Sequence, residues 1–442
     1  MYDAQIDAVA AAATAARARS AAATPALLAH LNSSSFRESL HACCAASGLA
    51  AQPAEQLLST LRAIIYAGEL VHNFDGSWEQ DATIEIGLRN ATDYFPSTWQ
   101  LRYLEYYGPR NNPRWGFPSS PEGVSEEAIY YLPRFQGPHD EPTSFESASS
   151  RLLYIALNAL RADVGNPGFG NVTAIFSPSF WQDAIVAAPA DSGLFTMFCN
   201  ESYRHTPGAH KPPPLPTSIS CDGGGDTTAG VLGHMDHVIL NNGIFWKQVQ
   251  PLTRYFARSY GDSNVSTDEL VAYIEPNILA NARYADQGRA LKLLVGSFAP
   301  LFGTARGALL QQWGAARGVP LAWGIGTGKA SVWDTHEPVA FAGTTRMLDL
   351  HTSASLVNAS TTPADAKAFT EWWDAVAAAR DPQTGELPPS QVWALWARGG
   401  KVLPPAAQLA LPRAGDCADW DACLGRSRGG ACVCAKGEVE AI

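Results

Sequence analysis

A chain of 442 residues with 46% hydrophobic and 17% charged side chains can bury one large core or two smaller ones, and is too apolar to be disordered. Its net charge of −11 excludes a broad nucleic-acid or anionic-membrane surface, which needs excess Lys and Arg. It still allows a small anionic ligand held by a few local cations, and no run is long and apolar enough to span a bilayer.

Residues 1–72 read as a helical N-terminal segment. Ile6, Val9, Ala10 and Ala13 recur at helical spacing in an Ala-rich run, and Ala is the strongest helix former. Pro25 is expected to end that helix, because an interior proline loses an N–H and crowds the preceding turn. A second helix is expected through Phe36, Leu40 and Cys43. A third covers Ala54 to Gly68, with Leu57, Leu58, Leu61, Ile64 and Ile65 on one side.

Residues 73–343 read as the core of an α+β protein. From Asn73 to Pro133 the chain is aromatic and irregular: Tyr94, Phe95, Trp99, Tyr103, Tyr106 and Tyr107 precede Arg110, Asn112 and Arg114. Such a mixture serves either an aromatic core or a pocket for a planar ligand. Leu152, Leu153, Ile155, Ala156, Leu157 and Leu160 predict a helix. A turn at Gly165-Asn166-Pro167-Gly168, a strand over Val172–Phe176, a short helix and a strand over Ala184–Ala188 follow. Farther on, Tyr273, Glu275 and Asn277 share one face of a strand, with Ile274 and Ile278 on the other. Pro276 argues against a central position for it. Leu291–Pro320 reads as a strand or helix, a Phe302-Gly303-Thr304 turn and an amphipathic helix from Ala305 to Arg317. Val319–Ile325 reads as a further strand. Residues 344–442 read as a helix over Pro363–Arg380, Pro-rich loops and a Cys-rich tail.

Sequons bear on the compartment. Six of the 15 Asn residues, Asn32, Asn90, Asn171, Asn200, Asn264 and Asn358, begin Asn-x-Ser/Thr triplets. Chance gives roughly two, so a secreted glycoprotein is expected. The Cys count, eight, is even and fits an oxidising compartment. Adjacent Cys43 and Cys44 bond each other only with strain, so distant partners are expected. Cys199 and Cys221 bracket a Pro-rich loop that a bridge would close. Cys417, Cys423, Cys432 and Cys434 lie within 18 residues, and their spacings do not match paired zinc ligands. Met1–Thr24 lacks the apolar run of a secretory leader, so secretion implies a leader already removed.

Three segments together carry a resemblance. Arg151-Leu-Leu-Tyr-Ile-Ala-Leu-Asn158, Phe169-Gly-Asn-Val-Thr-Ala-Ile-Phe176 and Asp191-Ser-Gly193 resemble a pattern in a group related to the ADP-ribosyltransferases. There a Y-x-A-L-N helix precedes an F-G strand and a Gly-Asp-Ser turn. Tyr273-Ile-Glu275-Pro-Asn277 is similar to that group's Y-x-E-x-Q strand, and Phe302-Gly-Thr304 and Val319-Pro-Leu-Ala-Trp323 follow in the same order. The resemblance covers about residues 150–325 and implies an ADP-ribosyltransferase-like mixed β core. It implies NAD as substrate, Glu275 as the catalytic carboxylate with Asn277 beside it, and Arg151, Tyr154, Asn158, Gly170, Asp191 and Ser192 at the dinucleotide. Asn277 replaces the group's Gln, Pro276 separates it from the Glu, and Ala190 stands where Gly would precede Asp191. No residue matches the Arg or His that holds the dinucleotide; Arg134 and Arg151 are candidates by charge alone.

The chemistry is consistent with one carboxylate. Breaking a nicotinamide–ribose bond builds positive charge on the sugar, which a nearby carboxylate stabilises without a metal. The acceptor is a small molecule or a protein, with no nucleic acid and no membrane span expected. A rival reading is a secreted hydrolase using acid–His clusters. His234, Asp236 and His237 form one such cluster and are weak metal-ligand candidates, lacking HExxH or HxH spacing. Trp333-Asp334-Thr335-His336-Glu337 forms another. A third reading is a non-catalytic extracellular protein that binds a partner through its aromatic surface.

Overall fold

The structure is a computed structural model that describes residues 2–44, 48–74, 94–97, 100, 153–159, 164–165, 170–182, 185–188, 234–245, 252, 274–278, 282–283, 291–325, 346–348 and 363–402. It is α+β, with an open mixed sheet.

The N-terminal helices are α1 (Tyr2–Leu31), α2 (Ser34–Cys44) and α3 (Ala54–Ala67). Pro25 does not end α1, contrary to expectation. Leu27 and Leu31, beyond the proline, are fully buried. Burial of large apolar side chains offsets the lost helix bond, as tertiary packing commonly overrides propensity. After α3 the chain enters strand β1 (Glu69–Phe74), so the boundary expected at residue 72 falls inside a strand that pairs on both sides.

The segment expected to be a helix after Arg151 is extended instead, as β3 (Leu153–Tyr154) and β4 (Ala156–Asn158). Leu153, Ile155 and Leu157 belong to the main apolar core, and Tyr154, Ala156 and Asn158 point the other way. Because Ala156 and Leu157 are both apolar and buried, the run mimics a helix face.

A two-stranded pair joins β2 (Tyr94–Phe95) to β8 (Ala282–Arg283). The other strands are β5 (Val172–Phe176), β6 (Ile185–Ala188), β7 (Glu275–Ile278), β9 (Leu291–Ser297), β10 (Leu321–Gly324) and β11 (Met347–Leu348). A sheet in the order β11-β10-β9-β5-β1-β4 adjoins a second in the order β3-β7-β6. They are continuous: Ile155 N–H donates to the Pro276 carbonyl at 3.1 Å and Leu157 N–H to the Ile274 carbonyl at 2.9 Å. One extended segment therefore pairs with β1 on one side and β7 on the other. Among the described strands only β9 and β10 are parallel neighbours. A helix joins them, α6 (Ala305–Arg317), which follows the short α5 (Phe298–Leu301). Thr304 caps α6, its hydroxyl accepting from Gly307 N–H at 3.1 Å, and Gly318 ends it at φ 66°.

Alternation then sorts the sheet. Leu70, Ile155, Ala174, Leu294, Trp323 and Ile278 face the large apolar core, which the N-terminal helices and α4 (Met235–Phe245) help to close. The C-terminal helices α7 (Pro363–Ala378) and α8 (Pro389–Val402) close the same core. Trp396 meets Phe298 edge-on at 5.2 Å, Phe302 meets Trp323 at 5.1 Å, and the Trp372 indole donates to the Leu395 carbonyl at 2.7 Å. The opposite face carries a small apolar cluster, Val71, Ala156, Val164, Ile175, Val295 and Ala322. Glu69, Asn73, Asn158, Thr173, Glu275 and Asn277 face the same way.

Gly296 lies under the Trp323 ring. A Cβ there would stand 2.7 Å from Trp323 Cζ3, and Trp323 is only 1% exposed and has no room to swing away. Gly296→Ala is expected to lower the unfolding free energy by about 1–3 kcal/mol through overpacking, read from urea denaturation midpoints. An unchanged midpoint would show that the ring relaxes freely.

Candidate functional site

Strand β7 sits between β3/β4 and β6. Ile274 and Ile278 anchor it in the main core, which turns Glu275 and Asn277 to the opposite face, as the period of two predicts. Pro276 keeps its carbonyl bond to Ile155 and loses only the reciprocal N–H bond, so a proline is tolerated in a strand paired on both sides. Glu275 faces Ala188 on β6, and the register set by Tyr154 opposite Asn277 places Ala156 on its other side. Both neighbours present only a methyl group.

Glu275 is 4% exposed and Asn277 is fully buried. Asn277 Nδ2 donates to Glu275 Oε1 at 3.3 Å. That leaves Asn277 Oδ1 buried and without a partner. A buried acceptor in this state costs about 1–3 kcal/mol.

The same face carries a second polar group two strands away. Glu69 opens β1 opposite Asn158. Asn158 Nδ2 donates to Glu69 Oε2 at 2.8 Å. Arg346, just before β11, grips Glu69 with both ends of its guanidinium, at 2.6 Å and 2.9 Å. Asn158, expected at a dinucleotide, is thus engaged by Glu69. On a flat sheet β11 and β1 would be four spacings apart, ~19 Å, farther than the two side chains reach together. The ion pair therefore requires a strongly coiled sheet, with the polar face on the inside of the curve. Arg346 was not legible as a site residue. Its only signal is a cation abutting the apolar Met347-Leu348 pair.

The other expected residues disperse. Tyr154 is half-buried, and its carbonyl meets His72 Nδ1 at 2.8 Å. Gly170 has φ 142°, a conformation that favours glycine, and its carbonyl accepts from Asn73 Nδ2 at 3.3 Å. The Asn73 amide also reaches Thr173 Oγ1 at 2.9 Å, extending the polar row along β1 and β5. Arg134, Arg151, Asp191 and Ser192 lie outside the described residues, as does the aromatic run from Tyr103 to Trp115.

The His234–His237 cluster is built into the scaffold. His234 is 8% exposed, and its Nε2 meets the Trp181 carbonyl at 2.6 Å. Asp236, in the first turn of α4, takes the Arg62 guanidinium from α3 in a two-point pair and the Thr24 hydroxyl from α1 at 2.6 Å. Its own N–H donates to Ser20 Oγ at 2.8 Å. Asp236 thereby locks three helices together, and its negative charge suits a helix N-terminus. Among the described residues no group of three metal-ligating side chains converges.

The remaining sequence features divide the same way. Asn32 is exposed in the turn between α1 and α2, whereas Asn171 is 2% exposed beside β5, where the folded chain has no room for a glycan. Asn90, Asn200, Asn264 and Asn358 lie outside the described residues. So do Cys199, Cys221, Cys417, Cys423, Cys432 and Cys434; Cys43 and Cys44 end α2. No helix among the described residues is long and apolar enough to cross a membrane.

No family model matches this chain, and no curated protein matches it. The class defined by the residues is architectural: α+β, with an open mixed sheet that is apolar on one face and partly polar on the other.

Burial holds the His234 imidazole below its ordinary pKa of 6.5, against a smaller upward pull from the Trp181 carbonyl. The unfolded chain then binds a proton that the folded chain resists, so stability falls as pH drops below about 6.5. His234→Gln is expected to flatten part of this loss between about pH 7.5 and 5.5 in urea titrations. Equal slopes for both proteins would remove His234 from the acid response.

Proposed function

We propose that this protein transfers or hydrolyses the ADP-ribose of NAD, with Glu275 as the carboxylate that stabilises the sugar cation. The observation that carries the reading is a carboxylate only 4% exposed on a strand paired on both sides, with the Asn277 amide beside it. In a low-dielectric setting a fixed negative charge acts on a developing positive charge more strongly than it would in water. The strand fixes the carboxylate before the ligand arrives, so little reorganisation accompanies bond cleavage. On the same face, the residues directly opposed to Glu275, Ala156 and Ala188, carry only methyl groups. The resemblance of residues 150–325 to ADP-ribosyltransferase-related sequences supports the same carboxylate. NAD is the proposed substrate, and no metal is needed at this step.

Against the rival hydrolase reading stand the scaffold contacts of His234 and Asp236. Glu275→Gln keeps the shape and removes the charge. NAD consumption is expected to fall by about 100-fold or more with an unchanged circular-dichroism melt. Equal turnover in both proteins would end the enzymatic reading and leave a non-catalytic binding protein.

We further place the protein in a glycosylating, oxidising compartment, on the strength of the sequon excess and the even Cys count. Expressed through a secretory pathway, Asn32→Gln is expected to lose one glycan by mass, while Asn171→Gln loses none. A glycan found on Asn171 would contradict its buried position.

A further inference from the structure

The turn Pro178–Gln182 joins β5 to β6, and two helices hold it by adjacent carbonyls. His234, at the head of α4, donates from Nε2 to the Trp181 carbonyl at 2.6 Å. Arg17 of α1 donates from Nη1 to the next carbonyl, that of Gln182, at 3.3 Å. The imidazole also meets the Trp181 ring edge-on at 5.3 Å, and Phe180 and Trp181 are enclosed in the core. A carbonyl only accepts, so the neutral imidazole carries its proton on Nε2 and its lone pair on Nδ1. Acid adds the second proton at Nδ1. That step sets two cations on neighbouring carbonyls of one turn. Asp236, in the first turn of α4, is the nearby anion, but the Arg62 guanidinium of α3 and the Thr24 hydroxyl of α1 already share its oxygens. Repulsion from Arg17 outweighs the pull of Asp236, and burial opposes the charge more than either. His237 is the other imidazole on α4.

We propose that this double contact is an acid-released joint: when His234 takes up a proton, the Pro178–Gln182 turn and strand β6 part from α1 and α4, while the helices stay folded. Parting hydrates the imidazole and separates it from Arg17, which removes both costs at once. The helices have their own fastening, since Asp236 ties α4 to Arg62 of α3 and to Thr24 and Ser20 of α1. Strand β6 stands at the end of the order β3-β7-β6, so it loosens without breaking the larger sheet. The imidazole binds its proton more weakly in the closed joint than in the open one, where its pKa returns to the ordinary 6.5. Opening is therefore indifferent to pH well above 6.5, grows as pH falls from there to the closed-state pKa, and levels off below it. This inference goes beyond the NAD reading and holds whether or not Glu275 is catalytic.

The test follows amide hydrogen exchange of the full chain at about pH 7.5 and 5.5, corrected for the intrinsic pH dependence of exchange. In wild type, protection of residues 179–182 and 185–188 is expected to fall by up to about 10-fold, the limit for one imidazole over this interval, while α3 keeps its protection. His234→Gln retains a donor for the Trp181 carbonyl and has no proton to take up, so its protection is expected to be the same at both pH values. His237→Gln is expected to respond as wild type does. Unchanged protection in wild type overturns the inference. So does a fall that extends equally over α3, which marks general acid unfolding. A full response in His234→Gln, or its loss in His237→Gln, overturns it as well. Should His234→Gln fail to fold, the wild-type and His237→Gln arms decide.

Discussion

Everything on the polar face depends on one extended segment, residues 153–158, hydrogen-bonding in two directions at once. Toward β1 it pairs Glu69 with Asn158, and toward β7 it pairs Tyr154 with Asn277. Because side chains alternate strictly along a strand, those pairings place every odd residue of the segment in the large core and every even residue on the other side. A slip of one residue would exchange the faces and bury Ile274 and Ile278 against Glu69 while turning Glu275 into the apolar core. The packing of Leu153, Ile155 and Leu157 thus fixes where a carboxylate on a remote strand points.

This segment is also where the sequence misled most. Its apolar residues satisfied a helical pattern because both faces are buried, and a strand buried on both sides shows no alternation in hydrophobicity. Leu153, Ile155 and Leu157 against Tyr154 and Asn158 were the weak trace of the correct period. Elsewhere local chemistry was enough. The Phe302-Gly303-Thr304 turn and the amphipathic run from Ala305 to Arg317 marked the bounds of α6, and the opposite facing of Glu275 and Ile274 followed from alternation alone. Pro25 and Pro276 misled in the same way. Each forfeits one hydrogen bond, a local loss that long-range packing outweighed.

Long-range ionic contacts were not legible. Asp236 looked like half of a metal site because it stands between two His residues. Nothing near it in the chain announced Arg62, Thr24 and Ser20, which come from two other helices. Arg346 and Glu69 likewise carry no local signature. Desolvating such a pair costs several kcal/mol per ion, so it is retained by fit: each oxygen of Glu69 accepts from Arg346, and one also from Asn158.

The separation of that pair along the chain has a consequence for biosynthesis. Glu69 and Arg346 are 277 residues apart, and Arg62 waits 174 residues for Asp236. At ribosomal rates of about 5–20 residues per second, Glu69 spends on the order of tens of seconds outside the exit tunnel before its cation is made. Over that interval the N-terminal helices can form, but the curved sheet cannot close, and its unpaired strand edges stay open to chaperones or to neighbouring nascent chains.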